Sequence, residues 1–590
     1  MIYLGHISPL PRQAQRIKGE NPFVRICNEL KHFMFGSSPK RRWHALLLIC
    51  LTLAMVLPGL SRLPVIDRDE ARYAQASVQM AESGDLLNIR FQNEARNKKP
   101  AGAYWAQTAM IKAFAGPDTR KLWSQRLPSV LGALISILLL YWGGLKLVGR
   151  DAAFIATSLL AVSLIFVFEG HIAKTDALLC ATTTALFASI ARLRHGGGRL
   201  EVWVFWIALG ASIMIKGPIG LLLIGLTMIG LWIWEKDIRW AKPLLNSGAI
   251  LIFFLIWVPW VVAIYTATDG AFFAESLGKD LGGKVVSAQE NHGAPPGAHS
   301  LVLMLTLWPA SLFILPAIIF AIRTILKGKD NPLSPAIRLC IIWVLPFWII
   351  IELMPTKLPH YSLPVLPALC VLMGVAIIGM RHLDEFVISR SLNAVLFLLA
   401  SAGLIAGLYY VQTQYGQADG HLIGYVILGL AGALAVLASL SLIFGKIRTS
   451  FLASLLCGVV LSGGSYGYIL PELESFQTSE RLATYLRQID PNIDSSQIHS
   501  PHYTEPSLVY HIGKDINLKS GELDVLKTPF LVLDSRKDSI LLDSQQMASA
   551  VKHNNLCLET SKSVKGFNYS KGEEVSLIVL QAVPCQESAP

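Results

Sequence analysis

The chain of 590 residues has few charged residues for its length. Asp, Glu, Lys and Arg together make up 15% of it, whereas about a quarter is usual in soluble domains. Hydrophobic residues reach 53%, and many lie in runs long enough to cross a bilayer, which takes ~20 apolar residues per helix. These features exclude an ordinary soluble enzyme and predict a polytopic α-helical membrane protein.

Motifs for common cofactors are also missing. The sequence contains no P-loop and no GxGxxG, so nothing in it indicates a nucleotide site. The eight cysteines include no CxxC pair, which argues against a zinc or redox motif. The net charge of +11 does not indicate nucleic acid, because the basic residues lie in short loops between apolar runs rather than in one stripe.

The apolar runs predict about thirteen transmembrane spans. They cover residues 43–61, 124–147, 151–169, 174–192, 201–216, 218–234, 247–267, 300–325, 337–354, 361–380, 391–412, 421–444 and 450–470. The two spans that flank Lys216-Gly217-Pro218 could instead be one broken helix. A polar domain follows at 471–590, where strand-like runs and a helical stretch predict a small α/β domain. Cys557 and Cys585 could form a disulfide there if the domain lies outside the cytoplasm.

The distribution of Lys and Arg predicts an orientation. The segment 1–42 is strongly basic and is therefore expected in the cytoplasm. An odd number of spans then places the C-terminal domain on the opposite face, the periplasm of a bacterium. The first external loop, 62–123, contains two stretches with helical spacing, "DEARYAQASVQMAES" and "PAGAYWAQTAMIKAFAG". Both are too short to span, so we expect amphipathic helices lying in the membrane interface, the second beginning at Pro100.

Ionisable residues are concentrated in the segments predicted on the external face. They are Asp67, Asp69, Glu70, Arg72, Lys98, Lys99, Glu169, His171, Lys174, Asp176, Lys216, Glu290, His292, His299, Lys357, His360 and, with a titratable phenol, Tyr361. Each has an ordinary interpretation by itself. Asp176 could cap its helix, Lys98 and Lys357 could anchor the interface, and Asp67 lies outside the core motif. Because all of these residues are predicted at one water–lipid boundary, together they predict a functional site there.

The residue types indicate group transfer from a lipid phosphate. Two carboxylates can orient or deprotonate a nucleophile, and lysines and arginines can stabilise a phosphate leaving group. His292 has no spaced His or Cys partners, so no metal site is predicted. A transporter or flippase for a lipid-linked sugar is the alternative. It is less favoured because such proteins bind near the membrane midplane, where this sequence has almost no ionisable residue. A scaffold protein would leave the acidic cluster unexplained.

Seven motifs, taken in order, resemble those of the bacterial GT-C glycosyltransferases of the protein O-mannosyltransferase type, a group that includes the aminoarabinose transferase of lipid A. They are "DRDEARYAQ", "NKKPAGAYW", "RLPS", "HIAKTDALL", "IKGP", "NHGAPPG" and "TKLPHYSLP". The resemblance runs from about residue 43 to 380. It implies a GT-C membrane domain at 43–470 and a polyprenyl-phosphate sugar as donor, with no cofactor specified.

The resemblance also implies roles for single residues. Asp69 is the expected base or orienting carboxylate, and Asp176 is expected to assist it. The implied donor-phosphate and substrate-binding residues are Glu70, Arg72, Tyr73, Lys99, Lys216, His292, Lys357 and Tyr361. One departure concerns the sugar: lipid A transferases commonly have Glu-Lys-Pro-Pro where this chain has Lys98-Lys99-Pro100-Ala101. An acidic group is replaced by a cation, which disfavours a metal, disfavours aminoarabinose as the sugar, and favours binding of phosphate by charge alone.

The implied function is an inner-membrane, multi-pass glycosyltransferase that works on the periplasmic face by a single inverting displacement. Lipid A or the lipopolysaccharide core is the first expectation for the acceptor, and Ser or Thr of a secreted protein is the second. The expected partners are therefore membrane lipid, the lipid-linked sugar and one of these acceptors, and not nucleic acid.

Overall fold

The computed structural model describes residues 39–286, 293–327, 331–380, 386–417, 420–519, 527–536, 544–545, 548–549, 551–554, 556–560 and 563–585. Long apolar helices dominate it as far as Glu472, and a small sheet domain follows. His292, predicted to bind substrate, lies outside the described residues.

Each predicted span corresponds to helical structure. The helices are Pro39–Val56, Leu122–Leu147, Arg150–Val162, Leu164–His171, Asp176–Leu193, Arg199–Lys216, Ile219–Glu235, Ser247–Ala267, Ala298–Thr306, Ile314–Leu326, Ser334–Leu353, Leu366–Gly379, Val387–Tyr415, His421–Ile443 and Ile447–Gly458. Within the described parts of the chain, eight helical segments are long and apolar enough to cross a membrane, and two bent pairs bring the number to ten. The chain is thus a multi-pass membrane protein. The remaining predicted spans are shorter or carry more charge.

Helix breaks lie next to the segments predicted to carry the site. The helices Arg150–Val162 and Leu164–His171 meet at an angle of 58°. The helices Arg199–Lys216 and Ile219–Glu235 are separate, because Gly217 between them has a positive φ of 69° and Pro218 follows. A helix end at each break leaves polar backbone and side chains for a site rather than for the lipid.

One close helix contact sets the position of Asp176. A Cβ atom at Gly132 would lie 2.8 Å from the carbonyl oxygen of Ala177, so glycine lets the helix Leu122–Leu147 approach the start of Asp176–Leu193. The hydroxyl of Ser129 donates to the Ile172 carbonyl oxygen at 2.6 Å one turn earlier. Together these contacts fix the segment that carries Asp176 against a buried helix.

The first loop contains the two expected helices, Asp69–Ser83 and Gly102–Met110. The second begins two residues after Pro100 and leaves Trp105 exposed, and the π-helical turn Ile111–Ala115 that continues it leaves Phe114 exposed, as an interfacial helix requires. The helix Asp69–Ser83, called the first-loop helix below, is more enclosed than its amphipathic pattern predicts. Even its polar residues Gln75 and Ser77 are fully buried, because other parts of the chain pack on both sides of it.

The C-terminal domain contains the helices Thr478–Ile489 and Pro506–Ile512 and five strands: β3 (Ile498–His499), β4 (Phe530–Asp534), β5 (Leu556–Thr560), β6 (Val564–Asn568) and β7 (Glu573–Pro584). The two-residue strands β1 (Arg90–Phe91) and β2 (Glu94–Ala95) form a separate hairpin in the first loop. In the larger sheet β4, β5 and β6 pair antiparallel with β7, and β3 pairs parallel with β4. A disulfide joins Cys557 to Cys585.

Candidate active site

Most of the predicted site residues surround one cavity of about 480 Å³. Its polar wall comes from the first loop, the start of the helix Asp176–Leu193, Lys216 and the segment around His360. Its apolar wall comes from two helices, through Leu222, Phe347, Ile350 and Ile351 among others. A cavity with one charged and one apolar wall suits a ligand with an anionic headgroup and a hydrocarbon chain.

Asp69 is the first residue of the first-loop helix and lines this cavity. Among the described residues, no hydrogen bond or ion pair is found for its carboxylate. Its neighbours, by contrast, are tightly held. Arg68 has a positive φ of 68°, a conformation unfavourable for a residue with a side chain. Asp69 therefore combines a fixed backbone with a carboxylate that can form a hydrogen bond to a nucleophile.

Glu70 has a different place from the one its motif implied. Its carboxylate forms a two-pronged ion pair with Arg126, with Nε–Oε1 and Nη2–Oε2 distances of 2.9 Å. It also accepts hydrogen bonds from the backbone N–H groups of Ile66 (2.9 Å) and Ala173 (2.7 Å). Both charged side chains are buried. Glu70 therefore joins the first loop to the membrane helices and faces away from the cavity.

Asp176 lies in a buried group of alternating charges. The ammonium of Lys216 is 2.5 Å from Asp176 Oδ1, and that of Lys174 is 3.5 Å from Oδ2. His360 Nε2 lies 3.9 Å from Oδ1, and the Nδ1 of the same ring lies 3.7 Å from Glu169 Oε1. Burial opposes the charge of Lys174, but Glu169 and Asp176 outweigh it and raise the pKa of that amine. Asp176 is thus paired with two lysines, which suits orientation better than proton transfer.

Lys99 is one of the cations of the first loop that line the cavity. It is paired with Asp280, which also accepts a hydrogen bond from Lys284 at 2.9 Å. Burial lowers the pKa of Lys99 to about 8, and Asp280 offsets this only in part. Burial also opposes the charge of Asp280, but Lys99 and Lys284 outweigh it and lower the pKa of that carboxyl group. An arriving phosphate would compete with Asp280 for both amines.

Aromatic residues complete the polar wall. The ring of Tyr73 stacks on Tyr104 with centroids 4.8 Å apart, and the guanidinium of Arg96 lies 5.4 Å from the Tyr73 centroid. Lys216 lies 5.7 Å from the ring centroid of Tyr361. Burial raises the pKa of Tyr73 well above its usual value, so its hydroxyl stays protonated and can donate a hydrogen bond.

The predicted residues thus separate into two groups. Asp69, Tyr73, Lys99, Asp176, Lys216 and Tyr361 line the cavity. Of the described residues, Glu70, Arg72 and Lys357 do not line it. Lys357 instead donates to backbone carbonyl groups at the end of the helix Ser334–Leu353, including Glu352 at 2.7 Å, and so caps that helix.

Several cavity residues were not chosen from the sequence. Arg96, Asp280 and Lys284 line the cavity, yet no motif contains any of the three, and their only sequence signal is their charge in a loop predicted to be external. His360, which also lines the cavity, and Glu169, which lies beside His360, were noted as charged or titratable loop residues without a role. Asp67, expected to be a bystander, both lines the cavity and contacts the C-terminal domain. In the part of the chain that the structure describes, no three His, Cys, Asp or Glu residues are grouped for a metal.

Comparison with known proteins agrees with this geometry. The family described as dolichyl-phosphate-mannose-protein mannosyltransferase matches residues 40–270. The undecaprenyl phosphate-alpha-4-amino-4-deoxy-L-arabinose arabinosyl transferase 2 of Pseudomonas fluorescens (strain Pf0-1) is 27% identical over 402 residues, 66% of this chain and 70% of that protein. The corresponding transferase of Edwardsiella ictaluri (strain 93-146) is 27% identical over 421 residues, 67% of this chain and 72% of that protein.

The fold has relatives among solved structures. The crystal structure of ArnT from Cupriavidus metallidurans bound to undecaprenyl phosphate superposes with a TM-score of 0.68 at 17% identity, covering 90% of this chain and 97% of that one. The oligosaccharyltransferase of Archaeoglobus fulgidus gives a TM-score of 0.52 at 11% identity, covering 93% of this chain and 75% of that one. The architecture is therefore that of the GT-C glycosyltransferases.

Within that class, the family match, the relatives and the motif order agree on one type. The chain is a glycosyltransferase with the GT-C fold, and it is similar to aminoarabinose transferases and to the protein mannosyltransferase family. The relatives are named as transferases, which favours the enzyme over the transporter that the sequence left open.

Proposed function

We propose that this protein transfers a sugar from a polyprenyl-phosphate donor to lipid A or the lipopolysaccharide core at the periplasmic face of the inner membrane. The observation that supports it best is the cavity, whose lining brings the carboxylate of Asp69 together with Lys99, Lys216 and Arg96 beside an apolar wall. The apolar wall would bind the first units of the polyprenyl chain, and the cations would bind its phosphate. The basic segment 1–42 would lie in the cytoplasm, and residues 471–590 would form the periplasmic domain.

The proposed reaction is a single displacement at the anomeric carbon. An acceptor oxygen forms a bond to that carbon from one face, while the bond to the donor phosphate oxygen breaks on the opposite face. The electron pair leaves with the polyprenyl phosphate, whose growing charge Lys99 and Lys216 stabilise. If the acceptor is a hydroxyl group, Asp69 takes its proton. If the acceptor is a phosphate that is already ionised, Asp69 only orients it.

The roles of the two carboxylates differ because their surroundings differ. Asp176 is paired with two lysines, so it would position Lys216 and the sugar hydroxyl groups rather than accept a proton. Among the described residues, no lysine or arginine lies within ion-pair distance of Asp69, and Asp69 remains the proposed base. Tyr73 and Tyr361 would donate hydrogen bonds to the donor from opposite sides of the cavity.

Mass spectrometry of lipid A and core from cells with and without the protein tests the acceptor. We expect a sugar-sized mass to disappear in the deletion strain and in an Asp69→Asn strain with normal protein levels. In the purified enzyme, Asp69→Asn should lower kcat at least about a hundredfold while undecaprenyl phosphate still binds. An active Asp69→Asn enzyme would refute the role of this carboxylate.

The second candidate acceptor is Ser or Thr of a secreted protein. The match of residues 40–270 to the protein mannosyltransferase family favours it. It predicts an unchanged glycolipid profile in the deletion strain together with lost glycopeptides in the secreted fraction. The same mass-spectrometric comparison therefore separates the two acceptors.

A further inference from the structure

The C-terminal domain contacts the first loop directly at the residues before Asp69. The carboxylate of Asp67 accepts a hydrogen bond from the backbone N–H of Ser507 at 2.8 Å, at the start of the helix Pro506–Ile512. No side chain within that helix caps it, so Asp67 caps it from across the chain. The backbone N–H of Asp67 donates a hydrogen bond to the hydroxyl oxygen of Tyr569 at 2.6 Å.

Arg68 forms the third contact. Its guanidinium Nη2 donates to the backbone carbonyl oxygen of Ser570 at 3.1 Å. This contact matters because Arg68 has a positive φ of 68°, a strained conformation that persists only where its surroundings enforce it. The strained residue immediately precedes Asp69, so the direction in which the Asp69 carboxylate points depends on Arg68.

The turn that supplies these partners is itself held in place. Tyr569 and Ser570 lie between β6 and β7, where the Asn568 side chain accepts hydrogen bonds from Ser570 and donates one to the buried Glu505 at 2.9 Å. The turn therefore presents the Tyr569 hydroxyl group at a defined position. On the other side of Asp69, Glu70 is fixed by Arg126 of the membrane helices.

We propose that Asp67, Arg68, Ser507, Tyr569 and Ser570 form an interdomain clamp that positions Asp69 for the transfer reaction. The C-terminal domain is then part of the active-site scaffold. It holds the two residues before Asp69, and the membrane helices hold Glu70 after it. These five are positioning residues: they act through the backbone of Arg68 and not on the substrate. The clamp rests on the proposed function, because its effect is measured on transfer.

The test compares two tyrosines of the C-terminal domain that both form hydrogen bonds to the first loop. Tyr569 contacts Asp67, whereas the hydroxyl of Tyr510 donates to the Arg120 carbonyl oxygen at 2.6 Å, at the far end of the loop. Neither lines the cavity. We expect Tyr569→Phe to lower kcat at least fivefold with the donor KM changed less than twofold. Tyr510→Phe should lower thermal stability while kcat stays within twofold of wild type.

A second pair of variants separates hydrogen bonding from charge. Asp67→Asn keeps an oxygen that accepts from Ser507 and should retain at least half of kcat, whereas Asp67→Leu should lose at least tenfold. Burial raises the pKa of Asp67 to about 6, so a neutral side chain is tolerated there. If Asp67→Asn were as inactive as Asp69→Asn, Asp67 would act on the substrate and the clamp would be refuted.

Hydrogen exchange supplies a readout that needs no activity. Tyr569→Phe removes the acceptor of the Asp67 N–H group, so amides 66–72 should exchange faster than in wild type, and Tyr510→Phe should leave them unchanged. A wild-type enzyme without transferase activity would refute the proposed function. An active wild type in which the two tyrosine variants behave alike in kcat and exchange would refute the clamp alone.

Discussion

The ion pair of Glu70 with Arg126 allows a test between two roles of Glu70. The motif implied that Glu70 binds substrate, whereas its contacts join the first loop to the membrane helices. The two side chains are 1% and 0% exposed, and each oxygen of Glu70 accepts two hydrogen bonds. In Glu70→Gln one oxygen becomes an NH₂ group, which would face two N–H donors. The buried charge of Arg126 also loses its partner, which should lower the free energy of unfolding by about 3–5 kcal/mol.

The assay is denaturant unfolding of the purified protein in detergent, with turnover measured well below the unfolding midpoint. Glu82→Gln is the matched control. Glu82 lies on the same helix but is 41% exposed, with its nearest oxygen 3.9 Å from Arg120 Nη2. The Glu82→Gln change should lower the free energy of unfolding by about 1 kcal/mol or less. Turnover of Glu70→Gln should fall because the residue after Asp69 is no longer fixed.

One result would refute this reasoning. If Glu70→Gln kept the stability of wild type to within about 1 kcal/mol but bound undecaprenyl phosphate weakly, Glu70 would be a donor-binding residue. A double change to Met at Glu70 and Arg126 should recover only part of the stability. The carbonyl groups of Leu60, Leu63 and Pro64 also accept from Arg126 and would lose their donor.

Three further predictions concern the cavity and the C-terminal domain. Because the pKa of Lys99 is lowered to about 8, donor binding should weaken as the pH rises through that value and the amine loses its charge. In Lys99→Arg, which stays charged, the pH dependence should disappear, and an unchanged profile would exclude Lys99 as its source. Lys216→Met removes the ammonium 2.5 Å from Asp176 and should lower kcat/KM about a hundredfold, measured by transfer to the acceptor; near-normal activity would contradict the role of Lys216. The disulfide Cys557–Cys585 closes a sequence separation of 28 residues, so replacing both cysteines by Ser should lower the stability of the C-terminal domain by about 3–4 kcal/mol. Calorimetry checks this, and turnover at low temperature should be unchanged.

The membrane helices could be predicted from the sequence because their signal is local. A run of about twenty apolar residues satisfies its backbone hydrogen bonds within itself, so each predicted span coincides with a helix or a bent pair. The motif residues that line the cavity were also predictable, since the loops that carry them were all expected at the same end of the membrane helices.

Contacts between distant segments could not be predicted in the same way. Nothing near Glu70 in the sequence reveals that Arg126 occupies its carboxylate, so its place in the motif suggested a ligand instead. Asp280 and Lys284 belong to no motif, and the ion pair of Asp280 with Lys99 spans 181 residues. The burial of the first-loop helix had the same cause, because its amphipathic pattern does not reveal which surface packs on it.

The hydrogen bonds that join Asp67 with Ser507 and with Tyr569 span 440 and 502 residues. During synthesis, Asp69 therefore emerges from the ribosome long before the partners that hold its neighbours. A chain still being inserted into the membrane has its acidic loop but lacks the turn that fixes Arg68. If transfer requires the interdomain clamp, the protein begins to consume lipid-linked sugar only after translation has reached β7 and the C-terminal domain has folded.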